Sequence, residues 1–203
     1  MEVLGLAFLG LLIVISPGAD FVLVLKNSVN LGRTAGIYTA IGISIAICIH
    51  ISYSMLGISY LISQNEFLFS LVRYTGSAYL IYLGVKGIIT AGSGFDINET
   101  AKSEAGPAHY LIQGFLCNVL NPKTMLFFLS IFSQVISPDS DNQLSVLLYG
   151  LYMIILHAVW FSLIAILLTS KVFQTRLMNM KKRLNQACGA GLISFGAILA
   201  IKS

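Results

Sequence analysis

Ser16-Pro17-Gly18-Ala19-Asp20 and Asn118-Val119-Leu120-Asn121-Pro122-Lys123 are two polar, proline-bearing interruptions set inside long apolar runs. Proline has no backbone N–H and clashes with the turn before it, which costs about 3 kcal/mol or more in a helix interior. In hydrocarbon there is no water to meet the backbone groups so freed, and they persist only where protein or a watered cavity satisfies them. If the flanking runs are membrane helices, both interruptions must therefore face the inside of a bundle.

The composition says that they are membrane helices. Of 203 residues, 57% are apolar and only 10% charged, and the mean hydropathy is +0.86. A soluble domain carries about 25% charged residues, so this chain has too little charge to cover a water-facing surface. Six apolar windows have the roughly 20 residues needed to cross about 30 Å of hydrocarbon: about 3–25, 37–62, 67–90, 109–137, 143–169 and 184–202. The sixth is the weakest, because Asn185 and Gln186 shorten it, and an interfacial last helix stays open. Glu2 stands where the positive n-region of a signal peptide belongs, and apolar character resumes beyond Asp20, so the first window reads as a span.

The fold class expected is thus an all-α membrane protein of six transmembrane helices in a single transporter domain, 1–203. Residues 91–108 are polar and glycine-bearing and read as a cytoplasmic linker between a first repeat, 1–90, and a second, 109–203. The net charge of +4 does not point to nucleic acid, since the basic residues lie in short gaps between spans. Nine of the twelve (Lys26, Arg33, Lys86, Lys102, Lys171, Arg176, Lys181, Lys182 and Arg183) fall in alternate gaps. That bias places gaps one, three and five in the cytoplasm and both termini outside. The basic stretch 170–183 is expected to touch anionic lipid headgroups. The localisation implied is the bacterial inner membrane, multi-pass.

Each interruption lies in the first span of its half, and three crossings per half insert the second half upside down relative to the first. Two inverted three-helix repeats with helices 1 and 4 broken are the expected pointer to the substrate site of an inverted-repeat transporter. A fainter echo supports the repeat: His50 follows Gly42 by eight residues and His157 follows Gly150 by seven. Gly32-xxx-Gly36 permits close helix packing.

These residues bring a family into view. The chain resembles the LysE/RhtB family of bacterial amino-acid exporters along nearly its whole length. Residues 16–20 are similar to the family's Ser-Pro-Gly-Pro-Asp/Asn signature, and Gly114 to Lys123 with Phe127-Phe128 to its second. Arg73 to Gly84 follows the pattern of its third helix. Two positions depart from the family: Ala19 replaces a second proline, and Ser133 stands where proline often precedes the glutamine matched by Gln134. The resemblance implies efflux of amino acids or analogues from the cytoplasm, driven by the proton gradient, and makes a homodimer plausible.

Asp20 is the acidic candidate. A charge at membrane depth costs roughly 2.5–3.5 kcal/mol on insertion scales and needs a partner or a task. It can bind a substrate ammonium, carry the coupled proton, or do both by competition; the plainer role is a carboxylate capping the half-helix after Gly18. Lys123 can hold a substrate carboxylate or pair with Asp20, or simply snorkel to the interface. Asn118 and Asn121, one helical turn apart, can present both amides to one cavity, or serve only the backbone opened by Pro122. Ser16 joins these as a substrate-binding candidate, and Pro17, Gly18 and Pro122 shape the cavity. His50 and His157, with Asp20, are the candidates for a proton relay, though a lone buried histidine is more often just hydrogen-bonded.

No enzyme is expected. CxxC, HExxH and Gly-x-Ser-x-Gly are all missing, as is the nucleotide-binding GxxxxGK[ST], so energy must come from an ion gradient or the cargo's own. Cys48, Cys117 and Cys188 stand far apart in apolar stretches and read as small buried side chains. Without a Cys/His/carboxylate cluster no metal site and no cofactor is expected, which disfavours export of metal or other inorganic cations. A non-transport membrane subunit leaves Asp20 and Lys123 unexplained.

Overall fold

A computed structural model describes residues 3–64, 66–89, 106–135 and 143–202, and these form eight helices with no strand among them. The first break divides α1 (Val3–Ile15) from α2 (Ala19–Leu31) at 50°, and the second divides α5 (Pro107–Val119) from α6 (Pro122–Val135) at 55°. Both bends sit at the prolines, the usual cause of a sharp kink. Between and after them run α3 (Arg33–Gln64), α4 (Glu66–Ile89), α7 (Gln143–Leu167) and α8 (Lys171–Lys202).

Two helices, α3 and α7, are singly long and apolar enough to cross a membrane, and each bent pair passes the same test as a unit, giving up to four crossings. The remaining two, α4 with 24 residues and α8 with 32, have the length to cross but carry more charge. The expected gaps at 26–36 and 170–183 are largely helical instead. The first contains the end of α2, one turn at Gly32, whose φ of +90° favours glycine, and the start of α3. The basic stretch is the opening half of α8, which runs unbroken because no proline or glycine occurs from Lys171 to Cys188 and Lys, Arg, Gln, Met and Leu are good helix formers. Of the linker at 91–108, residues 91–105 lie outside the described residues, as does the side chain of Gln134.

Helix α3 packs against α2, α5, α6 and α7, while α4 lies along α8 and also touches α6. Close crossings are made at glycines. A Cβ on Gly42 would strike the Leu111 carbonyl of α5, and one on Gly114 would strike the Thr39 carbonyl of α3. Gly84 and Gly189 face each other's carbonyls in the same reciprocal way between α4 and α8. Gly36 admits Ser28 and Ala165, which is the close packing expected of it, whereas Gly32 makes the turn. The core holds Phe127, Phe128 and Phe132 of α6, fully buried with Leu9, Ile43 and Met153. Conversely, Leu144, Leu148, Leu151, Ile155, Val159 and Ile166 of α7 are exposed at helical spacing, an apolar face suited to lipid.

Candidate functional site: a polar cluster between two broken helices

Each proline removes the N–H that would have bonded the carbonyl four residues earlier. Pro17 thereby frees the carbonyl of Ile13, and Pro122 that of Asn118. Both carbonyls are taken by side chains from elsewhere in the bundle. Lys123 Nζ donates to Ile13 O at 3.1 Å and to Ser16 O at 2.6 Å, so its ammonium closes the carbonyl end of α1. His50 of α3 reaches Asn118 O through Nε2 at 3.0 Å, a carbonyl also bonded by the Asn121 N–H at 2.9 Å.

Asp20 is the second residue of α2 and only 6% exposed. The helix is capped by Gly18, with no side-chain hydrogen bond, so Asp20 does not act as the capping residue. Its Oδ2 instead crosses to the other break and accepts Nδ2–H from Asn118 at 2.9 Å and from Asn121 at 2.9 Å. Its Oδ1 is buried and no N–H or O–H group donates to it. The two asparagines turn both amides to this one carboxylate, though from either side of the break and not from one helical turn. Asn118 lies in the last turn of α5, while Asn121 precedes Pro122 and accepts the Lys123 N–H at 3.0 Å through Oδ1. That is the N-cap bond of α6, with proline at its favoured first position. Since Oδ1 is committed to the helix, the Asn121 amide must turn its N–H groups toward Asp20.

The same bookkeeping orients His50. Asn118 gives Nδ2–H to Asp20 and also to Thr124 Oγ1 at 3.3 Å, so its Oδ1 is an acceptor, and His50 Nε2, 3.1 Å away, must donate. In the neutral ring Nδ1 then accepts from the Tyr53 hydroxyl at 2.6 Å. The result is a directional chain from Tyr53 through His50 and Asn118 to Asp20. An amide sits in it, and an amide conveys charge by polarisation rather than by handing on a proton. His157 of α7 is buried and donates Nδ1–H to Met153 O at 2.7 Å.

Ser16, Asp20, Lys123, Thr124 and His157 line one chamber with Ile13, Phe127 and Phe161 around them. Its volume is about 20 Å³, room for about one water and far too little for an amino acid. Gly18 gives Lys123 its path: a Cβ there would lie 3.3 Å from Nζ. The structure thus gathers all the candidate residues about the two breaks. It does not join Asp20 to Lys123 in an ion pair, because the ammonium is held by the α1 carbonyls. Tyr53, Thr124 and Cys117, whose thiol lies beside the Asp20 carboxylate, escaped the sequence reading. Only Tyr53 left a signal, three residues from His50 and so on its face of the helix. Of the other cysteines Cys188 is buried as expected, whereas Cys48 is exposed on the apolar exterior of α3.

Residues 11–203 match the family model described as LysE type translocator. The chain is 32% identical over 193 residues to an uncharacterized membrane protein, YrhP, of Bacillus subtilis (strain 168), covering 91% of each. It is 28% identical over 191 residues to an uncharacterized membrane protein of Vibrio cholerae serotype O1, covering 92% of this chain and 90% of the relative. With the homoserine/homoserine lactone efflux protein of Salmonella typhimurium it shares 26% identity over 189 residues, covering 93% and 91%. No solved structure matches.

Proposed function

We propose that this chain, which belongs to the LysE type translocator family, exports amino acids or related small metabolites from the cytoplasm in exchange for protons. The observation that carries the reading is the Asp20 carboxylate, buried where the two breaks meet, with one oxygen held by two amides and the other without an N–H or O–H donor. A lone carboxylate among amides and carbonyls suits a primary ammonium, which offers three N–H donors, better than a metal ion, which asks for several charged or soft ligands. Protons and ammonium compete for the same oxygen. Protonation from outside expels the cargo, and loss of that proton to the cytoplasm frees the site to load again. The name of the Salmonella relative puts homoserine and its lactone first among compounds to try. Cells lacking the protein should become more sensitive to a panel of amino acids, analogues and amino-acid-rich dipeptides, and overexpression should protect them. Unchanged growth across the whole panel in both strains removes the export reading.

The mechanism needs two gates of opposite sense, and two inverted three-helix repeats supply them. Support comes from the pairing of each break with a proline-freed carbonyl and from the packing of α3 on α7 and α4 on α8, each an element of one half against its counterpart. In this arrangement α4 and α8 are the third and sixth crossings. Both termini lie outside and the 91–108 linker inside. A reporter fused after Gly92 should report the cytoplasm and one at Ser203 the periplasm; a cytoplasmic signal at Ser203 removes the sixth crossing and the symmetry with it.

A further inference from the structure

The carbonyl end of α1 is a seat for a cation, and a side chain of the protein itself sits in it. The last carbonyls of a helix have no intrahelical partner and carry about half a negative charge, and Pro17 adds to them by freeing Ile13 O. Lys123 donates to Ile13 O and Ser16 O. The lysine does nothing for its own helix: at the second position of α6 its charge opposes the positive end of that helix's dipole. It leans away across Gly18, where the missing Cβ leaves it room. Beside it, lining the same chamber, is Asp20, 6% exposed and with no N–H or O–H donor on Oδ1. Two carbonyls thus hold one primary ammonium, with a carboxylate lining the same chamber.

We propose that Lys123 is a tethered stand-in for the transported ammonium, holding the α1 seat while the carrier is closed and empty and leaving it when the cargo's ammonium arrives. The clause about cargo rests on the export reading above; the seat itself does not. Displacement vacates the length of the lysine stem, which is the room the 20 Å³ chamber lacks. It also keeps the seat neutralised in the empty carrier, so that the return step exposes no bare cation site to the inorganic cations on either side. Lys123 on this view competes with the cargo, the reverse of an anchor for its carboxylate.

The test uses the purified full-length chain in detergent and simple amines, without any cargo. Lys123→Ala empties the seat, and n-butylammonium chloride should refill it, because it reproduces the lost stem and head. Thermal unfolding of Lys123→Ala should rise by about 3–5 °C at tenfold above half-saturation. Wild type, whose seat is taken, should move by under about 1 °C. Tetramethylammonium, which has the charge but no N–H, should move neither. Equal shifts in variant and wild type, no shift in the variant, or an equal effect of tetramethylammonium each overturn the proposal. If Lys123→Ala does not elute as a folded species, Lys123→Met keeps the stem's bulk, and methylammonium, small enough for the head position, is judged by the same criteria. A failure here leaves the growth phenotypes of the export reading untouched, and their failure leaves this shift unaffected.

Discussion

Asp20→Asn should abolish export while leaving the protein folded and in the membrane. Asparagine matches aspartate in shape, and its single carbonyl oxygen can still accept the N–H groups of Asn118 and Asn121 that now meet Oδ2 at 2.9 Å each. The amide NH2 then takes the place of the free Oδ1. A donor there faces a chamber whose other polar wall is made of carbonyls and a lysine, and it repels the ammonium that a carboxylate would hold. Replacing a charged acceptor by a neutral group loses about 1–2 kcal/mol of hydrogen-bond strength, and the new donor adds a clash of similar size. Together these amount to about 2–4 kcal/mol, which is roughly thirtyfold to seven-hundredfold at 1.4 kcal/mol per decade. The coupled proton also loses its only carboxylate in the cluster. Everted vesicles carrying the variant should therefore show neither cargo uptake nor cargo-dependent proton movement, with protein amounts within about twofold of wild type by immunoblot. Full activity in the variant takes Asp20 out of the coupling scheme altogether.

The breaks were legible because proline chemistry is local: a missing N–H and a ring clash act within four residues, wherever the helix lies. That Asp20, Asn118 and Asn121 would share a polar interior was legible for a related reason, since none of them is tolerable against lipid. What no sequence rule supplied was the partner of Lys123. Pairing with Asp20 and capping α1 are equally good in charge, and the choice depends on where α6 leaves its 55° bend relative to Ile13 and Ser16. The same holds for Asn121, whose spacing from Asn118 suggested neighbours one turn apart, whereas α5 ends between them at Leu120. The helical form of the basic stretch before Asn185 was not read, because charge density outweighed helix propensity. In α8 the two coexist, since a helix longer than the hydrocarbon is thick can leave its charged half outside.

Gly114→Val should prevent the protein from accumulating at all, and the reason links packing to the site. Where α3 crosses α5, the nearest atom to a Cβ on Gly114 is the backbone carbonyl oxygen of Thr39, and the nearest to one on Gly42 is that of Leu111. Backbone cannot rotate aside as a side-chain tip can, so valine must push the two helices apart. Overpacking usually costs about 1–3 kcal/mol, and a clash with an immovable carbonyl belongs at or above the top of that range. The separation also pulls on the polar clasp beside the crossing, where Asn27 Nδ2 donates to Thr39 Oγ1 at 2.8 Å and to Gln113 Oε1 at 3.2 Å. One turn further along α5 is Asn118, whose bonds from His50 at 3.0 and 3.1 Å have no slack for such a shift. A Cβ on Gly5 meets only the edge of the Phe195 ring, at 3.3 Å, and the ring can tilt away, so Gly5→Ala is the control for Gly114→Ala, whose Cβ alone already strikes the Thr39 carbonyl. Yield after detergent extraction and the melting profile should thus separate the substitutions, near-complete loss for Gly114→Val and a lowered yield for Gly114→Ala against a change within about 1 kcal/mol for Gly5→Ala. Equal yields from the two alanine variants would mean that the α3–α5 crossing does not hold His50 against Asn118, and the orientation derived for the Asp20 carboxylate would lose its support.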